Sequence, residues 1–116
     1  MSNVQLTKDS DYLICAIFKS YMDQRKSGTP KSNAKMLGSS KTLHEELMPE
    51  WSFEDVDETC RELHRAGLLQ CTYADNVAYY VSLNDAGIIY MENRFAGKFD
   101  TIVEYMAKVK SAIPFI

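Results

Sequence analysis

The sequence predicts a mainly α-helical domain with one β-hairpin between its third and fourth helices. Three observations carry this. Apolar residues recur at three- and four-residue spacing through most of the chain. The stretch from Leu68 to Leu83 switches to a period near two. Turn-forming residues, among them Gly28, Pro49 and Gly67, fall where each periodic stretch ends.

The first helix is expected over Thr7 to Ser27, capped by Asp9 or Ser10, with Leu13, Ile14, Ile17, Phe18, Tyr21 and Met22 as its inward face. Gly28 supplies a left-handed stop and Pro30 prevents continuation, so Ser27 to Asn33 reads as a turn-rich loop. A short second helix follows from Ser40 to Met48, with Ser39 or Ser40 as cap and Leu43 and Leu47 facing inward. The third helix starts at Ser52, where Asp55 stands at capping-box distance, and Phe53, Val56, Cys60 and Leu63 form its apolar stripe.

Leu68 to Tyr73 and Val77 to Leu83 then read as antiparallel strands joined by the tight turn Ala74-Asp75-Asn76. Asn84 or Asp85 starts a helix running to Phe95. After Gly97, an amphipathic terminal helix extends until Pro114 closes it. The expected order is helix, helix, helix, strand, strand, helix, helix.

A chain of 116 residues has room for one domain and one core. It is read as a single unit over 1–116, with a core at 9–95 and the terminal amphipathic helix at 98–113. Hydrophobic residues make up 46% and charged residues 25%, a globular rather than a disordered composition. Thirteen Lys and Arg against sixteen Asp and Glu give a net charge of -3, which disfavours coating nucleic acid or an anionic membrane through bulk charge. The polar start lacks the apolar region of a secretory signal, and no stretch approaches the roughly 20 apolar residues of a membrane span. Cys15, Cys60 and Cys71 are odd in number and lack C-x-x-C spacing, so they read as reduced, buried hydrophobes in a cytoplasmic protein.

The element order is that of the winged-helix variant of the helix-turn-helix. Locally, the run Cys60-Arg61-Glu62-Leu63-His64-Arg65-Ala66-Gly67-Leu68-Leu69 resembles the exit from a recognition helix into the wing. Tyr79 to Met91 resembles the exit from the wing in MarR- and PadR-like regulators, and the chain is also similar to small YjcQ-type winged-helix proteins of bacteria and phages. The resemblance covers residues 9–112, its specific part being Ser52 to Met91. It implies that the third helix enters the major groove while the wing touches phosphates or the minor groove. Terminal helices of MarR- and PadR-like proteins form dimers, which implies a homodimer through Phe99, Ile102, Val103, Met106 and Val109; the alternative is that this helix folds back over the first helix of its own chain.

Charge divides the chain. From Glu45 to Glu62 there are eight carboxylates against Arg61 alone, and no Lys or Arg stands between Ala66 and Asn93. Such a helix and wing would repel a duplex. The preceding segment is basic: Lys19, Arg25, Lys26, Lys31, Lys35 and Lys41 oppose only Asp23. It is either a phosphate track or a solvated loop.

Two non-catalytic functions follow, the regulator as the first reading on the usual service of the fold and the interaction module as its alternative on the charge map. A DNA-binding transcriptional regulator would use Lys31, Lys35, Lys41, Ser52, Arg61, Arg65 and Asn76. A protein-interaction module, such as a phage- or plasmid-borne inhibitor of a nucleic-acid-handling enzyme, would use Glu54, Asp55, Glu58, Glu62, Tyr73 and Tyr79. Tyr79 and Tyr80 should occupy opposite faces of their strand, leaving at least one outward. Cys60 and His64 are four residues apart, with His44 and Cys71 as further conceivable ligands, but the spacing matches no zinc module and no metal or other cofactor is expected. Neither a nucleophile elbow nor a glycine-rich phosphate loop is present, so no enzyme is expected.

Overall fold

The computed structural model describes residues 4–96, 98–111 and 113. Thr7, rather than Asp9 or Ser10, caps the first helix, α1 (Lys8–Lys26): its side chain accepts the Ser10 N–H. The reason is geometric, because a cap must precede the first helical residue while Asp9 and Ser10 already lie inside the first turn. Leu13, Ile14, Ile17 and Phe18 bury one face of α1, which becomes the central rod of the core.

The segment after Gly28 is more ordered than a loop. It contains a single helical turn, α2 (Lys31–Ala34), and a short strand, β1 (Met36–Gly38). Three residues are too few to display alternation, so β1 exists through its pairing with a distant strand. Helix α3 (Ser40–Glu46) is capped by Ser39 and ends before the expected Met48, whose N–H instead closes back onto the Leu43 carbonyl.

Helix α4 (Phe53–Arg65) follows the expectation, with Ser52 accepting the Asp55 N–H and Val56, Cys60 and Leu63 fully buried. Strands β2 (Leu69–Ala74) and β3 (Val77–Leu83) form the hairpin. Asp75 and Asn76 at its tip both have positive φ, 52° and 61°, which suits the right-handed twist of the two strands. β1 pairs antiparallel with β3 on the far side, giving a three-stranded sheet in the order β1-β3-β2.

Helix α5 (Asp85–Phe95) is capped by Asn84, and α6 (Phe99–Lys110) is shorter than the expected 98–113. The expected stops at Gly97 and Pro114 lie outside the described residues. Asp11 of α1 ties these helices together. It receives Arg94 of α5 through both terminal guanidinium nitrogens and the Tyr105 hydroxyl of α6.

Among the described residues the fold is therefore six helices around a small antiparallel sheet. Their inner faces share one core, to which α1 gives Leu13, β3 gives Val81 and Leu83, α5 gives Met91 and α6 gives Ile102. No helix among the described residues is long and apolar enough to cross a membrane.

Candidate interaction surface

The hairpin is fastened to α4 by a polar latch built around Asp57. Asp57 Oδ1 accepts the Ala78 N–H of β3 at 2.9 Å and the Ser40 hydroxyl of α3 at 2.7 Å. Its Oδ2 accepts Arg61 Nε at 2.9 Å. Burial pushes this carboxyl up, but the hydrogen bonds from Ala78, Ser40 and Arg61, with the guanidinium charge, outweigh it and hold Asp57 below the usual carboxylate range.

Arg61 completes the latch. It donates from Nη2 to the Asn76 carbonyl at 2.8 Å and stacks its guanidinium 4.6 Å from the centre of the Tyr73 ring. His64 meets the same ring in a T-shaped arrangement, with centroids 5.9 Å apart. His64 Nδ1 lies 3.2 Å from the Cys71 N–H and 3.1 Å from the Leu69 carbonyl, so the outer edge of β2 is covered by a side chain of α4.

These contacts reassign several expected DNA contacts. Arg61 is engaged within the molecule and sets the hairpin's position. Asn76 offers its carbonyl to Arg61 and keeps its side chain at the exposed tip. Ser52 caps α4. Lys35 bridges to Asp85 at 2.6 Å, while its carbonyl accepts the Leu83 N–H. Lys31 and Lys41 are exposed, and Arg65 is exposed beside Glu58 at 3.5 Å.

The acidic residues divide in the same way. Glu54, Asp55 and Glu58 face solvent. Glu62 turns toward α1, where it accepts the Ser10 hydroxyl at 2.6 Å and the Thr7 hydroxyl at 2.9 Å. The exposed charge of α4 is therefore mainly negative, and the hairpin contributes no cation to offset it.

The hairpin supplies aromatics instead. Thr72 pairs with Tyr80 and Tyr73 with Ala78, which leaves Tyr79 as the extra residue of a β-bulge. The bulge interrupts alternation, so Tyr79 and Tyr80 are both outward, 67% and 41% exposed, instead of dividing between faces. Met36 of β1, which pairs with Ser82, is exposed as well.

The residues weighed and set aside as metal ligands are engaged elsewhere. Cys60 is fully buried, with its thiol pushed up by burial and by neighbouring Cys71 and Asp57. His44 Nδ1 sits 3.0 Å from the Met48 carbonyl. Among the described residues, no group of three or more His, Cys, Asp or Glu side chains converges to hold a metal.

The terminal helix lies against α1 of its own chain. Ile102 is completely buried in the core, which removes it from any surface a second copy could reach. Met106 and Val109 are partly buried against the same core, and Phe99 carries the ammoniums of Lys19 and Lys26 at 5.2 and 5.3 Å from its ring centre. Of the five expected dimer residues, Val103 is the one clearly exposed.

Asp57 was not among the expected site residues. Its signal is nevertheless present: it stands four residues before an Arg and next to Val56 on the inward side of the apolar stripe. Comparison with protein-family models, curated proteins and solved structures returned no match to this chain.

Proposed function

We propose that the chain is a non-catalytic winged-helix binding module whose α4 and hairpin dock onto another protein. Support for the winged-helix reading comes from the succession α1-α2-β1-α3-α4-β2-β3, with α4 in the place of a recognition helix and the hairpin in the place of a wing. The observation that carries the functional reading is the charge left exposed there. Glu54, Asp55 and Glu58 face outward, Arg61 is occupied by Asp57 and Asn76, and no Lys or Arg stands between Ala66 and Asn93. Phosphates would meet carboxylates along α4 and no cation on the hairpin. A protein with a basic patch would find both opposite charge and exposed tyrosines, the side chains most often enriched at interfaces. Nucleic-acid-handling enzymes carry such patches.

The second reading, a DNA-binding regulator, draws support from exposed Lys31, Lys41 and Arg65. Titration of generic duplex DNA at low and then moderate salt separates the two. The protein-docking reading expects no binding by the natural chain at low salt. It also expects salt-sensitive binding to appear once Glu54, Asp55 and Glu58 are all replaced by Lys. Binding by the natural chain that disappears in the Lys31→Glu, Lys41→Glu variant would establish the regulator instead.

A further inference from the structure

Where α4 meets the outer edge of β2, two backbone groups converge on a single nitrogen. His64 Nδ1 stands 3.2 Å from the Cys71 backbone nitrogen and 3.1 Å from the Leu69 carbonyl oxygen. One ring nitrogen cannot serve both a donor and an acceptor. Without a proton it accepts from Cys71, and with one it donates to Leu69. We infer that His64 is a pH-operated clasp, whose neutral ring holds the Cys71 N–H and whose protonated ring releases it and takes the Leu69 carbonyl. This holds whatever the hairpin docks onto.

The neutral ring can place its single proton in two ways, and its surroundings choose between them. A proton on Nδ1 would leave the N–H of buried Cys71 facing another donor. A proton on Nε2 leaves only the Leu69 carbonyl facing a lone pair. Orphaned buried N–H groups are rarer than under-satisfied carbonyls, so neutral His64 carries its proton on Nε2. Among the described residues β2 is an edge strand, with β3 on one side only. No strand therefore stands ready to take the Cys71 N–H once the imidazole leaves it.

The imidazolium carries hydrogen on both nitrogens and accepts nothing. Imidazole is also the side chain whose charge ordinarily changes between about pH 5 and pH 8. The neighbouring groups do not share that window. On β2 they are Tyr73, whose ring centroid is 5.9 Å away, and the Cys71 thiol. On α4 they are Cys60 one turn back, Arg61 stacked on the same Tyr73 ring, and Arg65 next in the chain. Burial pushes Cys60, Cys71 and Tyr73 up, so all three stay protonated, and both guanidiniums stay charged. Asp57, two turns back on α4, is held below the usual carboxylate range and stays ionised. Its bond to Ala78 consequently stays shut while the clasp at Cys71 opens.

The test is NMR of the full chain, read residue by residue between about pH 8 and pH 5. At the upper pH, long-range imidazole nitrogen spectra should show His64 with Nδ1 bare and Nε2 protonated. As the ring gains its second proton, the Cys71 amide should shift with the same midpoint. Its protection from hydrogen exchange, corrected for intrinsic rates, should fall about tenfold or more while that of Ala78 holds. His64→Asn puts a non-titrating acceptor near the Nδ1 position, so Cys71 should be equally protected at both ends of the range. His64→Phe should leave Cys71 poorly protected at both. A neutral ring protonated on Nδ1 would overturn the inference, as would a Cys71 amide indifferent to the His64 titration. So would a natural-like pH dependence in His64→Asn, or protection of Cys71 that survives in His64→Phe. An equal loss at Ala78 would also overturn it, because the hairpin would then be coming away as a whole.

Discussion

Asp57 Oδ1 accepts the Ala78 backbone N–H, so a carboxylate from α4 fills a hydrogen-bonding position on β3. Removing it strands the Ala78 donor and the Ser40 hydroxyl and leaves Arg61 Nε without its acceptor. Asp57→Ala should therefore cost about 3 kcal/mol in urea unfolding. Asp57→Asn keeps an oxygen for Ala78 and Ser40 and should cost about 1 kcal/mol. A loss below 1 kcal/mol for the alanine variant would mean that the latch does not hold the hairpin.

The same carboxylate predicts a dependence on acid. Its pKa is lowered on folding from an ordinary value of 3.8, so the folded state binds its proton less readily than the unfolded chain does. The stabilisation is complete above the ordinary value and disappears as pH falls through the lower folded value. The stability difference between the natural chain and Asp57→Asn should thus be widest near neutrality and shrink below about pH 4. A difference that stays constant into acid would assign the effect to packing alone.

Gly87 lies in the first turn of α5, directly against the end of the hairpin. A Cβ there would stand 2.3 Å from the Leu68 carbonyl oxygen and 2.9 Å from Leu83 Cδ1. The first of these atoms is backbone and cannot swing away. Gly87→Ala should lose about 2 kcal/mol or more despite the better helix propensity of alanine. A neutral or raised melting temperature would show that α5 can slide away from Leu68.

Neighbouring positions on α6 should behave oppositely. Ile102→Asp places a charge in the centre of the core and should unfold the chain rather than release a folded monomer. Val103→Asp lies at an exposed position and should leave circular dichroism melting within about 0.5 kcal/mol of the natural chain. Light scattering on that variant then reports whether copies associate through α6 without the complication of unfolding.

The hairpin tyrosines offer a similar contrast. Tyr73→Ser removes a ring that contacts both Arg61 and His64 and should cost about 1 kcal/mol. Tyr79→Ser removes an outward bulge residue and should leave thermal stability nearly unchanged. Comparable losses at both positions would mean that Tyr79 packs on the sheet instead of standing clear of it.

Elements with long periods or strong caps were legible in the sequence. The stripe Val56, Cys60, Leu63 and the Ser52 cap place α4 correctly, and Asp75-Asn76 marks the hairpin tip. What periodicity could not supply was anything set by distant pairing. β1 is three residues held by Ser82 and Val81, and the bulge at Tyr79 depends on how two strands register. The site residues follow the same division. Exposure of Glu54, Asp55 and Glu58 follows from helical position, whereas the internal engagement of Arg61 and Glu62 depends on Asn76 and Ser10, remote in sequence. The terminal helix showed an apolar face without showing which surface would cover Ile102.

The three cysteines sit on α1, α4 and β2, all buried, and burial raises each thiol, that of Cys15 to about 12. A thiol that is both shielded and protonated is a poor nucleophile toward an alkylating reagent. Pulsed maleimide modification would consequently leave intact molecules unlabelled and mark those that have opened, turning three inert side chains into a built-in gauge of how often each region of the chain comes apart.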